Sequence, residues 1–357
     1  MEGIIDRDKL TRGARYFGVF SIAGLGVLFV VTDGNTVSVV RELSVGFMAL
    51  AALSAVFDTL LGASRYQVFI RSIRRGSSFW LPIRADLASR FVGAATPSQT
   101  GGGPAQVFVL HRGGVPAPEA LSFLAINFLF TMVLFLVAGG FTAWMFRESF
   151  IGGTLEWFVL WGFVAFGSMG ALMLLALFRP DLIERPCRRL AVRMDSSPRM
   201  SGGLVHRGLL WVVESVDHYT SACTQFIRKD PIVLLWSALL TVALYANKFT
   251  LGYLVMRGMG VDAPYLEVIA VQALLQFIVF VAPSPGGSGI AELTTAALMA
   301  RFLDAHLLGV YTLASRFFQL YLPATLGCFV LIAALKPMAA RSQAPGTALP
   351  AEGAVVP

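Results

Sequence analysis

Charge is scarce in this chain. Only 14% of its 357 residues are Asp, Glu, Lys or Arg, against 56% hydrophobic, and mean hydropathy is +0.71. That balance excludes a water-soluble globular domain. Cysteine is scarce too: Cys187, Cys223 and Cys328 offer neither a disulfide framework nor a paired metal motif. Four histidines, His111, His206, His218 and His306, stand apart with no His-Glu-x-x-His, so no metal site is expected. No Gly-x-x-x-x-Gly-Lys-[Ser/Thr] loop is present, which argues against ATP, and no cofactor is expected. The first apolar run lacks a small-residue cleavage site before Thr32-Asp33-Gly34, so it reads as an uncleaved span.

What the chain has is apolar length. Runs near 16–31, 43–62, 119–146, 157–178, 231–256 and 306–335 reach the roughly 20 residues that a helix needs to cross a bilayer. The net charge of +7 raises nucleic acid as a partner, but its placement argues otherwise. By the expected topology, 22 Lys and Arg residues flank one side and four, Arg41, Arg147, Arg257 and Arg301, the other. This positive-inside pattern predicts an inner (plasma) membrane protein with both termini cytoplasmic and no nucleic-acid partner. The segment 179–230 is expected to be a basic cytoplasmic loop ending in an amphipathic helix, with Leu209, Val212, Val213, Val216, Cys223, Phe226 and Ile227 at helical spacing. That helix would lie on the membrane surface or against the bundle.

Two segments repeat each other at a distance. Pro97-Ser98-Gln99-Thr100-Gly101-Gly102-Gly103-Pro104-Ala105-Gln106 aligns with Pro283-Ser284-Pro285-Gly286-Gly287-Ser288-Gly289-Ile290-Ala291-Glu292, with identity at five of ten positions. Each copy interrupts an apolar stretch, and paired Gly/Pro breaks of this kind mark binding sites in transporter-like folds. Pro97 precedes its next span by 22 residues and Pro283 by 23 (119 − 97; 306 − 283). The expected fold is all-α. It has about six full transmembrane helices and two re-entrant broken helices in an inverted repeat, with seven or eight spans as the alternative count. Residues 1–338 form one membrane domain, with halves at about 43–146 and 231–335, followed by a disordered tail at 339–357.

The breaks carry the candidate site. Pro97, Gly101, Gly102 and Gly103 in the first, and Pro283, Pro285, Gly286, Gly287 and Gly289 in the second, let backbone approach closely and adopt positive φ. Helices starting after such loops present N–H groups and partial positive charge, which suit the phosphate of a lipid head group. Lys248, Glu292 and Arg316 are charges inside spans and need partners, so Glu292 is expected to pair with Arg316 or Lys248. Asp58 reads as a residue near a span end that reaches the interface, and Asp86 with Arg90 as a local helical pair. Gly286-Gly287-Ser288-Gly289 and Ala305-His306 resemble the Ser and His motifs of rhomboid intramembrane proteases. Ser288 and His306 are only 18 residues apart, however, and the first break has Gly102 where Ser288 sits, which makes an intramembrane serine hydrolase a remote alternative.

The second break resembles the Pro-x-Pro-Gly-Gly-x-Gly-x-x-Glu signature of the lysylphosphatidylglycerol synthase transmembrane region, also called the flippase-like domain family. Ser315-Arg316, then Tyr321-Leu322-Pro323 and Gly327, resemble that family's later Arg…Pro…Gly stretch, and Leu110-His111-Arg112 fits after the first break. The resemblance spans about residues 12–338. Ala291 stands where Arg is common, and the first loop lacks the acidic residue often found there. The resemblance implies a lipid translocase without catalytic residues, carrying an anionic, aminoacylated or glycosylated membrane lipid. Bifunctional relatives carry a soluble aminoacyl-transferase domain after the membrane part, and none is expected here. The rival reading is a non-transporting scaffold for a separate glycosyl- or aminoacyl-transferase partner docked on 179–230.

Overall fold

The computed structural model describes residues 41–145, 154–195, 203–282 and 284–342. The expected first span at 16–31 lies outside them. Every named element among the described residues is a helix. The first block contains α1 (Val45–Ile73), α2 (Trp80–Ala94), α3 (Gly102–Arg112) and α4 (Ala117–Met145). The connecting block contains α5 (Thr154–Phe178), α6 (Asp181–Asp195) and α7 (Leu204–Lys229). The second block contains α8 (Pro231–Gly258), α9 (Tyr265–Val281), α10 (Ile290–Met299), α11 (Ala305–Arg316), a π-helical turn (Phe317–Tyr321) and α12 (Leu322–Ser342). The last helix runs four residues past 338, and 343–357 lie outside the described residues.

Four of these segments are long and apolar enough to span a membrane: Val45–Ile73, Ala117–Thr142, Pro231–Gly258 and Ala305–Ala334. A fifth crossing is available where α5 passes into α6, across an 88° bend. The chain is thus an all-α polytopic membrane protein. Large apolar side chains face outward in a stripe along α1 (Leu50, Leu53, Val56, Phe57) and α8 (Ile232, Leu235, Trp236, Leu239), as lipid-facing surfaces require. Small residues face inward. Ala51, Ser54 and Ala55 give α1 a smooth face on which α8 lies, and helices in lipid pack closely over such residues. Asn247 fastens that seam: its Nδ2 donates to Ser54 O at 2.9 Å, and Ser54 Oγ donates to Asn247 Oδ1 at 3.0 Å.

The two blocks correspond element by element. α1 and α8 have 29 and 28 residues, α2 and α9 have 15 and 17, and α3 and α10 have 11 and 10. Each block's closing helix crosses to the other block's broken pair. α4 packs on α9, where Thr142 Oγ1 donates to Ala270 O at 3.1 Å. α12 packs on α2, where Gly327 leaves no room for a side chain: a Cβ there would sit 2.0 Å from Leu87 O.

The connecting block holds more helix than expected at 179–230. α6 precedes the expected amphipathic helix, α7, which docks on α4, α5, α6 and α8. Its Val213, Val216, Cys223 and Phe226 are buried. Phe226 meets Phe69 and Phe123 at ring distances of 5.2 and 5.7 Å. The amphipathic stretch therefore lies against the bundle.

Candidate functional site

The two Gly/Pro breaks meet inside the bundle. Pro97 and Pro285 form an antiparallel bridge, and Ser98 Oγ donates to Ala282 O at 3.2 Å. In the repeat alignment Ser98 and Ser284 are equivalent, and an antiparallel pairing of 97 with 285 is centred on those two serines. That is the arrangement a local two-fold axis between the loops demands.

The loops reach similar paths by different chemistry. In the second break Gly286, Gly287 and Gly289 have φ of 59°, 71° and 85°, a region that costs an L-residue about 1–2 kcal/mol. In the first break the left-handed positions belong to Ser98 (φ 49°) and Gln99 (φ 55°), not to the glycines as the sequence led us to expect. Gly101 has φ −75°, and Gly102 and Gly103 are already helical. Those glycines act through size: a Cβ on Gly102 would lie 2.9 Å from Ser89 Oγ, and one on Gly103 2.9 Å from Leu124.

Both turns use much of their own donor supply. Gly101 N–H goes to Thr96 Oγ1 at 2.9 Å, and Gly102 N–H to Gln99 O at 3.1 Å. Gly287 and Ser288 N–H bond to Ser284 O and Pro285 O, both at 3.0 Å. Gly289 N–H is taken by Glu292 Oε2 at 2.6 Å, the glutamate half of a capping box, which puts a carboxylate where an external anion was expected. The charge that faces an anion must therefore come from side chains.

Two buried charge clusters flank the breaks. In the first turn after the second break, Glu292 is 1% exposed, and its Oε1 accepts from Arg316 Nε at 3.0 Å. Arg316, 9% exposed, also donates through Nη2 to Gly286 O at 3.0 Å, so one guanidinium holds the acid and the loop. Arg316 ends α11, and the π-helical turn follows at once. Pro323, two residues beyond that turn, cannot donate to a regular helical ladder, and π turns of this kind recur at functional sites.

The other cluster precedes the first break by two to three turns of α2. Arg90 donates through Nη1 to Asp58 Oδ2 at 2.5 Å and through Nε to Asp86 Oδ2 at 2.7 Å, and Lys248 Nζ reaches Asp58 Oδ2 at 3.1 Å. Lys248 thus goes to Asp58 and not to Glu292. Asp58 does not reach the interface. It is 4% exposed, because the helix expected to end near 62 continues to Ile73 and puts Asp58 at its centre. Asp86 and Arg90 form the expected pair, but as part of a four-residue network drawn from α1, α2 and α8. Arg65, counted above among cytoplasmic charges, is also buried: it bonds Asn127 Oδ1 at 2.9 Å and Thr131 Oγ1 at 3.2 Å. Removing Arg65 and Arg90 lowers the tally from 22 to 20 against four and leaves its sign unchanged.

Sequence reasoning passed over Asp58, Asp86 and Arg90 as site residues, although a signal was present. Asp86 and Arg90 precede Pro97 by 11 and 7 residues, and Gln272 and Gln276 precede Pro283 by the same intervals (97 − 86, 97 − 90; 283 − 272, 283 − 276). Gln272 answers Asp86 in position but bonds a neutral partner, Tyr311 Oη, at 2.5 Å. Glu267 lies apart from both clusters, paired with Arg301 at 3.7 Å near the helix ends. Pro283 itself lies outside the described residues. Ser288 is buried in the second break, whereas His306 is exposed beyond the far end of α10, a helix of ten residues and about 15 Å, which separates the two. Among the described residues no His, Cys, Asp and Glu group has the arrangement of a metal site.

Residues 17–327 match the family described as the lysylphosphatidylglycerol synthase TM region. The chain is also similar to a UPF0104 membrane protein of Archaeoglobus fulgidus, with 26% identity over 302 residues, 81% of this chain and 87% of that protein. The chain belongs to the lysylphosphatidylglycerol synthase transmembrane family.

Proposed function

We propose that this protein is a lipid translocase that binds the head group of an anionic or modified membrane lipid where its two broken segments meet. The observation that carries the reading is the contact of the two breaks, at Pro97–Pro285 and Ser98–Ala282, with a buried charge cluster two to three turns before the first and another in the first turn after the second. Charges within spans are costly and by default mark a substrate path. Exposure within the first cluster favours an anionic cargo: the side chains of Arg90 and Lys248 are 17% and 13% exposed, against 12% for Asp86 and 6% for the Asp58 that both cations hold. An entering phosphate would meet cations first. Pro97, Pro285 and the glycines shape the passage, and Lys248 and Arg316 supply the charge. The matching blocks, read with inverted orientation, would rock against each other to expose the site alternately to the two leaflets. The protein sits in the plasma membrane with cytoplasmic termini, performs no covalent chemistry, and exchanges lipid by scrambling or by coupling to a gradient.

The test is transbilayer movement of a fluorescent anionic lipid in proteoliposomes, comparing wild type with Lys248→Met that elutes as a folded species. Loss of movement in the variant is expected. Equal rates in wild type, variant and empty vesicles would discard the reading. The scaffold reading draws on one feature, the open arginine groove of α6 formed by Arg185, Arg188, Arg189 and Arg193. Co-purification of a transferase that depends on those arginines and not on Lys248 would favour it.

A further inference from the structure

The first cluster has a property that the head-group reading does not use. Two carboxylates, Asp58 and Asp86, face two cations, Arg90 and Lys248, so the buried network is neutral. Within it, the two oxygens of Asp58 are unequal. Oδ2 takes both the Arg90 and the Lys248 bond, while Oδ1 is buried without a hydrogen-bond partner. A carboxylate oxygen left open in so covered a place is a site for a proton.

A phosphodiester head group drawn to Arg90 and Lys248 adds one negative charge to a neutral, weakly solvated cluster. Low-dielectric surroundings penalise that excess steeply, so a positive charge must arrive with it. The two acids fare differently as the cations turn to the phosphate. Asp86 keeps the Arg90 Nε bond at 2.7 Å, on the far side of the guanidinium from the Nη1 group that Asp58 uses. Asp58 loses both of its charged donors. Among the described residues no other cation stands ready to replace them. Tyr245 of α8 is the remaining titratable group interacting with Asp58, and Arg65 of α1 is committed to Asn127 and Thr131 of α4. Tyr321 lies on the π-helical turn packed on α1 and carries no charge to give.

We propose that Asp58 is the proton-binding site of a lipid–proton symporter: one proton is taken up on Asp58 with each anionic head group that engages Arg90 and Lys248. The inference rests on the lipid-binding reading and adds its coupling ion. The balance is simple, because lipid anion, proton and protein form one complex and no bond to carbon or phosphorus changes.

Calorimetric titration of the full chain in nanodiscs with dioctanoyl phosphatidylglycerol, in two buffers of different protonation enthalpy, counts the protons. Wild type is expected to take up about one proton per lipid at neutral pH, and its affinity to weaken about tenfold per pH unit as pH rises. Asp58→Asn should bind with no proton uptake and a flat pH profile, and at high pH should bind at least as tightly as wild type. Binding by wild type without proton exchange overturns this inference alone, as does uptake that persists in Asp58→Asn. Failure of wild type to bind the lipid at any pH overturns the function reading and this inference with it. The wild-type arm decides even if a variant does not fold.

Discussion

The two breaks share a sequence frame but place their charge on opposite arms. In the first, the acid and its base, Asp86 and Arg90, come before the break, and the position after it is the neutral Gln106. In the second, the positions before the break are Gln272 and Gln276, and the acid, Glu292, comes after it. Gln106 and Glu292 each follow their break proline by nine residues (106 − 97; 292 − 283). The consequences differ. Glu292 is closed by one guanidinium and by its own helix cap, a compact pair that also clamps the loop at Gly286. The first cluster spreads over three helices, leaves Asp58 Oδ1 without a partner, and keeps its cations partly accessible. The second break therefore has the character of a structural hinge, and the first that of a binding surface.

This contrast can be broken by mutation. The largest expected effect is at the closed pair. Arg316→Met leaves Glu292 buried without its cation and unclamps Gly286, and about 3–5 kcal/mol of stability should be lost. Thermal unfolding in detergent measures it, and a loss no greater than that of Lys248→Met would erase the distinction. Lys248→Met removes one of two donors to Asp58 while Arg90 stays in place, so a cost of about 1.5–3 kcal/mol is expected, the range for a hydrogen bond to a charged group. Here the functional loss in lipid movement should exceed what the stability loss explains.

Gly327→Ala probes how the second block grips the first. A methyl group 2.0 Å from Leu87 O forces α12 away from α2, and overpacking of this kind costs about 1–3 kcal/mol. A cross-link between cysteines placed on α12 and α2 should weaken in this variant, and an unchanged cross-link would contradict the close approach. The smallest effect separates the loops themselves. Gln99→Gly relieves a left-handed non-glycine residue and should stabilise by about 0.5–1 kcal/mol, whereas Gly286→Ala should destabilise by about 1–2 kcal/mol. Opposite signs in chemical or thermal denaturation are the expected outcome. Equal signs would mean that the two loops do not use glycine differently.

Much of this was legible from the residues. Gly/Pro clusters inside apolar runs located both breaks, because few other sequences interrupt a span without ending it. Opposite charges within spans had to find partners, and Glu292 with Arg316 was one of two pairings open to it. Asp58 was misplaced for a physical reason. Hydropathy falls at the cationic residues after 62, but helical geometry does not, and Arg65 hides its charge on Asn127 of α4 instead of leaving the membrane. The left-handed Ser98 and Gln99 were hidden by the glycines beside them, which draw attention as the flexible residues yet serve close packing. The three-helix network could not be derived from any single segment, since Lys248 lies 190 residues from the Asp58 it binds.

A site shared by the two blocks requires that the two breaks touch. Cysteines at Ser98 and Ser284, in a chain with Cys187, Cys223 and Cys328 replaced, test this directly. Residues facing each other across an antiparallel pairing stand about 4.5–5.5 Å apart at Cα, within disulfide reach. Oxidation should join them in high yield, detected as a protected bond between the two halves after proteolysis in the 179–230 segment. No cross-link, with both single cysteines open to a thiol reagent, would mean that the loops do not meet and that no shared site lies between them.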